Sequence, residues 1–280
     1  MSNLTNTLQK IRYNLKRHVY GITAPLRVLP DFIVVGFGKA GTTTLYHYLS
    51  EHPCIMKSSH DHLGFFDSNF ELGLNFYKSF FPTKFSKFFL KYTKKCFRTY
   101  DVTASYIREP LSAKRILKTL PKIKLIIICR NPVDVAYSYY FNDPSLKGGL
   151  SFEEAIKNEI KMVENEIKNS KNYPRNLLEK SFLARAIYYE QIEIWYELFP
   201  KNQLLVIEAE DLAKDHIKTF NKIFDFLDLP RYDIKNFEKQ HPDLKLSSTN
   251  EGQIIMQHAL DKLHMSEEAI EQNSRLGKLT

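Results

Sequence analysis

The chain has 280 residues, 43% of them hydrophobic, and 40 Lys and Arg against 32 Asp and Glu give a net charge of +8. It is long enough to bury a real core, so one large α/β domain is expected rather than two small ones. No run of about eighteen apolar residues occurs, which excludes a bilayer-spanning helix; the basic excess points to anionic partners such as nucleotides, acidic glycans, a membrane face or nucleic acid.

Residues 1–30 read as a basic N-terminal extension, and 31–280 as the domain. Lys10, Arg12, Lys16, Arg17 and Arg27 accompany Leu8, Ile11, Leu15 and Val19 at roughly helical spacing. An amphipathic helix docked on the domain is the simpler reading; loose attachment to an anionic membrane surface is the sharper one. Pro25 and Pro30 then break the chain. No apolar signal-peptide core precedes the first strand. The cysteines Cys54, Cys96 and Cys129 are far apart, odd in number and without metal spacing. Cys129 ends an apolar run and reads as a buried thiol, and a reducing compartment is expected. These signs favour the cytoplasm of a bacterium or similar cell, with peripheral contact at the inner membrane surface.

Phe32 to Val35 reads as a buried strand, and Thr42 to Ser50 as a helix. Between them lies Gly36-Phe37-Gly38-Lys39-Ala40-Gly41. Glycines let the backbone turn tightly and approach a ligand. The first N–H groups of the helix lack internal partners, and its dipole adds positive charge there. The result is a phosphate site. The nucleotide-triphosphate loop G-x-x-x-x-G-K-[ST] has the same glycine spacing. Here, however, Thr42 stands where that lysine belongs, and the lysine sits inside the loop as Lys39.

After a turn into a short extended segment at Ile55 come His60, Asp61 and His62. Histidine titrates near neutral pH and is the usual general base. At the C-terminal edge of a parallel sheet such a cluster faces the ligand; the alternative is a set of surface or packing residues. His-x-His alone, with no further ligand cluster, does not make a metal site. Residues 70–98 are rich in phenylalanine and lysine. They read as two amphipathic helices split at Pro82, aromatics inward and lysines solvated, or as a positive channel for an anionic acceptor.

Phe97 to Asp101 reads as a strand and 111–120 as a helix. Lys124 to Cys129 is the strongest strand, a continuous apolar run of the kind buried in parallel sheets. It leads into Arg130-Asn131-Pro132, with Pro132 near the start of the next helix. Arg130 and Ser138 can reach one anionic group, the guanidinium gripping phosphate through its planar fork. ATPases and kinases hold magnesium with carboxylates near this position; Arg130 is a cation and argues against them. Further on, 151–170 is a charged amphipathic stretch, Arg175 to Leu198 a long helix, and Gln203 to Ile207 another buried strand. Glu210-Asp211-Leu212 begins the next helical run, Ile217 to Leu227, which stops before Pro230. A late helix near Ile254 to Leu263 precedes a tail from Glu267.

These motifs, in this order, resemble the sulfotransferases that use 3′-phosphoadenylyl sulfate (PAPS), in the heparan-sulfate and bacterial carbohydrate branch. Gly36 to Thr43 is similar to their 5′-phosphosulfate loop. Phe65-Phe66-Asp67 with Gly73 to Tyr77 resembles the segment around their catalytic residue. Arg130-Asn131-Pro132 with Ser138 resembles the 3′-phosphate motif. Tyr188 to Trp195, with Leu198-Phe199-Pro200 and Leu204 to Asp211, resembles a helix and strand of bacterial members. The resemblance covers roughly residues 31–230 and implies a role for each position. Lys39 holds the bridging oxygen of the phosphosulfate. The N–H groups of Ala40, Gly41, Thr42 and Thr43, with the threonine hydroxyls, hold the 5′-phosphate, and Arg130 and Ser138 the 3′-phosphate. His62 stands where the branch often has a glutamate base, with Asp61 and His60 as neighbours that could serve instead. Val102 replaces a lysine of the heparan-sulfate enzymes. The donor-covering C-terminal loop is not evident in Pro242 to Gly252, where Lys239 and Lys245 offer some cover.

The expectation is therefore a single P-loop-like α/β domain with a central parallel sheet and helices on both faces. Its expected reaction moves a sulfuryl group from PAPS to a hydroxyl, less readily an amine, of a carbohydrate or glycolipid. It uses a general base and no metal, and no nucleic acid is a partner. The alternatives are a P-loop kinase and a basic nucleic-acid-binding module, the latter marked by steep salt dependence.

Overall fold

Short apolar runs make the sheet. β1 (Phe32–Gly36) and β4 (Lys124–Cys129) are buried almost throughout, as strands covered on both faces must be. β2 (Ile55–Lys57), β3 (Arg98–Val102) and β5 (Leu204–Glu208) complete a five-stranded sheet in the order β2-β3-β1-β4-β5. Every pairing is parallel. The molecule is a computed structural model in which residues 22–142, 149–169, 181–186, 189–234 and 237 are described. Outside the described residues lie the basic segment through Arg17, positions 175–180 and 187–188 of the long helix expected over Arg175 to Leu198, Lys239 and Lys245, Pro242 to Gly252, the late helix and the tail.

The helices are, in chain order, α1 (Thr42–Leu49), α2 (Phe65–Ser68), α3 (Gly73–Lys78), α4 (Lys84–Lys94), α5 (Pro110–Thr119) and α6 (Pro132–Asn142). Then follow α7 (Phe152–Asn169), α8 (Phe182–Ala186), α9 (Tyr189–Leu198), α10 (Ala209–Lys214) and α11 (His216–Phe226). They cover both faces of the sheet, because parallel strands need crossover connections. The chain leaves β1 toward β2 on one side, then returns to place β4 and β5 on the other. The direction reverses between β1 and β4, and crevices in open α/β sheets form at such a point, beyond the C-terminal strand ends.

Two expectations are corrected by the packing. Cys54 and Cys96 are paired as a disulfide, with Cα atoms 5.3 Å apart, within the usual range. They lie 42 residues apart in sequence. The parallel register of β2 on β3 sets Ile55 against Arg98 and so draws the two cysteines together. The pairing removes the cysteine argument for a reducing compartment. Cys129 is the buried free thiol that its position suggested, and burial raises its pKa. The second correction concerns the aromatics of 70–98. Phe76, Tyr77, Phe80 and Phe81 are in the core, but α4 has no buried residue at all. Its rings face outward, because the helix lies along the sheet margin and rests on the core through the half-buried Leu90.

Candidate active site

The loop after β1 is shaped by what it must pass. Phe37 N–H donates to the Ile128 carbonyl at 3.4 Å, so the loop leaves β1 still tied to β4. A Cβ on Gly38 would sit 1.9 Å from the Tyr139 hydroxyl oxygen, so any larger residue there would displace the Tyr139 ring. Gly41 has φ of +100°, and it ends the turn as the N-cap of α1. No side chain caps that helix; its first N–H groups are the donors that an anion would take. Thr42 is buried, Thr43 half-buried, and Ala40 lies beneath the turn. Lys39 is exposed at the tip with φ of 69°. A residue with a Cβ is rarely held in that left-handed region, at a cost on the order of 1 kcal/mol.

Arg130 stands at the end of β4 and is only 7% exposed. Its Nη1 donates to the Lys39 carbonyl at 3.0 Å. The two motifs expected from the sequence to bind anions, 91 positions apart in the chain, are thus joined by a hydrogen bond. The next backbone N–H, that of Asn131, donates to Glu210 Oε1 at 2.7 Å. Burial raises the pKa of Glu210 while that hydrogen bond opposes the shift. Ser138 is buried on α6, and Asn142 Nδ2 donates to its carbonyl at 2.8 Å. Tyr139 went unnoticed in the sequence. It packs on Gly38, and the Arg185 guanidinium lies 4.9 Å from its ring centroid.

His62 reaches the same edge of the sheet by a different route. Its backbone N–H donates to the Val102 carbonyl at 2.7 Å, and Thr103 N–H donates to the Val34 carbonyl at 3.0 Å. The 60–64 loop therefore crosses the end of β3, one strand away from β1. His62 is held at φ of 53°. Its Nδ1 is 3.5 Å from Asp61 Oδ2, and both side chains are close to half exposed. His60 is engaged elsewhere: its Nδ1 is 3.0 Å from Ser59 Oγ, and its ring meets Phe80 edge-on. Among the described residues, no three His, Cys, Asp or Glu side chains are grouped to hold a metal.

Beneath this edge lies a polar hub that periodicity alone does not reveal. Asp101, fully buried at the end of β3, accepts hydrogen bonds from Tyr77 Oη at 2.9 Å, Tyr106 Oη at 2.9 Å and Thr103 Oγ1 at 2.8 Å. Tyr106 Oη in turn accepts from Phe65 N–H at 2.8 Å. The hub ties β3 to the segment Phe65 to Tyr77. Burial raises the Asp101 pKa to about 6, against the pull of its three hydrogen bonds. The folded chain then keeps this proton up to about pH 6, while the unfolded chain releases it near 3.8. Between those values the folded state binds more protons, so this group's contribution to stability falls as pH rises, then levels off above about 6. The limiting slope is about 1.4 kcal/mol per pH unit. Urea unfolding of the wild type and Asp101→Asn from pH 4 to 7 reads it: the difference between them should decline through the window and then flatten. A pH-independent difference would place the carboxyl in the ordinary range.

A family model described as "Sulfotransferase domain" matches residues 29–271. The chain is 25% identical to the "membrane-associated sulfotransferase kil1" of Dictyostelium discoideum, over 79% of this chain and 60% of that protein. It is 32% identical to the "bifunctional heparan sulfate N-deacetylase/N-sulfotransferase 3" of Homo sapiens, over 73% of this chain and 23% of that protein. The chain thus spans less than two thirds of the length of either relative. Among solved structures, a sulfotransferase from Alicyclobacillus acidocaldarius is similar in fold, with a TM-score of 0.52 and 24% identity. That match covers 85% of this chain and 96% of the other.

Proposed function

The chain belongs to the sulfotransferase domain family, and from that premise we propose that it moves a sulfuryl group from PAPS to a hydroxyl or amine of a carbohydrate or glycolipid. The observation that supports this most is the Arg130 Nη1 to Lys39 carbonyl hydrogen bond, at 3.0 Å. It ties a buried guanidinium to the loop that leads into an uncapped helix N-terminus, which suits a donor with two separated phosphate groups.

In this reading the N–H groups of Ala40 to Thr43 and the threonine hydroxyls take the 5′-phosphate. Arg130 and Ser138 take the 3′-phosphate. Lys39, at the loop tip, neutralises the charge that develops on the bridging oxygen as the S–O bond breaks. The acceptor oxygen or nitrogen attacks sulfur in line and gives up its proton. His62 takes that proton on Nε2, since Asp61 faces Nδ1 and favours a proton there. With positive charge supplied by Lys39 and Arg130, the proposed reaction uses no metal. A kinase reading is disfavoured by Arg130 at the β4 end and by Thr42 in the place of a P-loop lysine.

The acceptor class draws support from the heparan sulfate named for the human relative. Residues 31–280 would form the catalytic domain. None of the described helices is long and apolar enough to cross a membrane. Peripheral contact through the basic residues of 1–30 is in keeping with the membrane association named for the Dictyostelium relative. The test is ligand stabilisation: 3′-phosphoadenosine 5′-phosphate, the spent donor, should protect the fold against heat without metal, and magnesium-ATP should not.

A further inference from the structure

Helix α4 turns its apolar side to water. Phe85, Phe88, Phe89 and Tyr92 recur at i, i+3, i+4 and i+7, which puts them on one face. They are 75%, 68%, 56% and 71% exposed. Single exposed phenylalanines are ordinary, whereas a contiguous stripe of rings marks an interaction surface. Every ionic side chain on this helix is a lysine: Lys84, Lys87, Lys91 and Lys94. Lys84 and Lys91 lie along one flank of the ring stripe.

The neighbouring chain extends the patch. Arg27 pairs with Thr83, the N-cap of α4, in an isolated bridge, and its Nη1 donates to the Phe81 carbonyl at 2.6 Å. Leu26 and Ile22, both exposed, therefore emerge beside the start of the helix. A cleft of about 480 Å³ separates α4 from the segment leading into β2, with Phe85, Phe89 and Leu90 facing Pro53, Ile55 and Met56. All of this lies at the β2 margin of the sheet, away from the β1/β4 crevice.

We propose that α4 docks on an anionic membrane surface, its four rings entering the lipid interface while Lys84 and Lys91, on the flank of the stripe, meet lipid phosphates. Charge complementarity favours this occupant over a second copy or the N-terminal segment. A second copy of the same face would set lysine against lysine, and the chain's own N-terminal segment, with Lys10, Arg12, Lys16 and Arg17, carries the same sign. A helix with an exposed apolar stripe and lysines beside it matches the pattern of helices that lie in the membrane interface. The anchor is independent of the donor site and additional to any contact made by residues 1–30.

The test is co-sedimentation of the full chain with vesicles of phosphatidylglycerol and phosphatidylcholine in equal parts, or of phosphatidylcholine alone. Three proteins are compared: wild type, a variant with Phe85, Phe88, Phe89 and Tyr92 each changed to Ser, and one with Lys10, Arg12, Lys16 and Arg17 each changed to Ser. The four rings are exposed, so circular dichroism melting of the ring variant should match wild type. The wild type should sediment with the anionic vesicles and much less with the neutral ones. The ring variant should partition at least about tenfold less, and the N-terminal variant should keep a ring-dependent share. Retention of wild-type partitioning by the ring variant would overturn the proposal. So would failure of the wild type to sediment, or a wild-type dimer in sedimentation velocity that the ring changes abolish.

Discussion

Replacing Arg130 by alanine is expected to lower kcat/KM for the donor by about 10²–10⁴, because the two charge-assisted hydrogen bonds proposed to one phosphate are lost at about 1.5–3 kcal/mol each. The effect is large because the guanidinium is only 7% exposed and already oriented by the Lys39 carbonyl. Arg130→Lys keeps the charge but not the planar fork and should recover only part of the loss. Lys39→Ala is expected to show a different signature. Its proposed partner, the bridging oxygen of the phosphosulfate, is absent from the spent donor. Turnover should fall by about 10²–10³, as for removal of one transition-state donor, while affinity for 3′-phosphoadenosine 5′-phosphate changes far less. Steady-state kinetics and calorimetric titration of the three variants separate these cases. Near-wild-type turnover in Arg130→Ala or Lys39→Ala would remove that residue from the site.

The second large effect is expected at His62. A positioned general base contributes about 10²–10⁴ in rate, so His62→Ala should lose that factor in kcat and keep donor affinity. Asp61→Asn should cost less, since Asp61 only faces Nδ1, at 3.5 Å. His60→Ala should be close to neutral, because that ring is turned to Ser59 and Phe80. If Asp61→Asn abolishes turnover while His62→Ala does not, the base is the carboxylate.

What was legible in the sequence was local. The run Leu125 to Ile128 must be buried on both sides, and the glycines at 36, 38 and 41 must accompany a tight turn, whatever surrounds them. From those features the parallel sheet follows, and with it the place of the loop from Gly36 to Thr43 and of Arg130 at the strand ends. The contacts that were not legible join residues remote in sequence. Tyr77 reaches Asp101 across 24 positions, and Arg185 stacks on Tyr139 from another helix. Helical spacing showed that α4 has an apolar face, but spacing alone does not say whether a neighbour covers it. In this fold none of the described core does, which is why its aromatics were expected inward and are found outward. The pairing of Cys54 with Cys96 is hidden in the sequence for a similar reason: only the register of β2 on β3 brings them together.

The most direct measurement is thermal unfolding with 3′-phosphoadenosine 5′-phosphate, with and without EDTA, against magnesium-ATP. A ligand at a hundred times its dissociation constant stabilises the folded chain by about 2.7 kcal/mol, which for a domain of this size shifts Tm by roughly 5–10 °C. The donor assignment predicts that shift with the bisphosphate, unchanged by EDTA, and little response to magnesium-ATP. A shift with magnesium-ATP alone would contradict it and return the crevice to a nucleoside triphosphate.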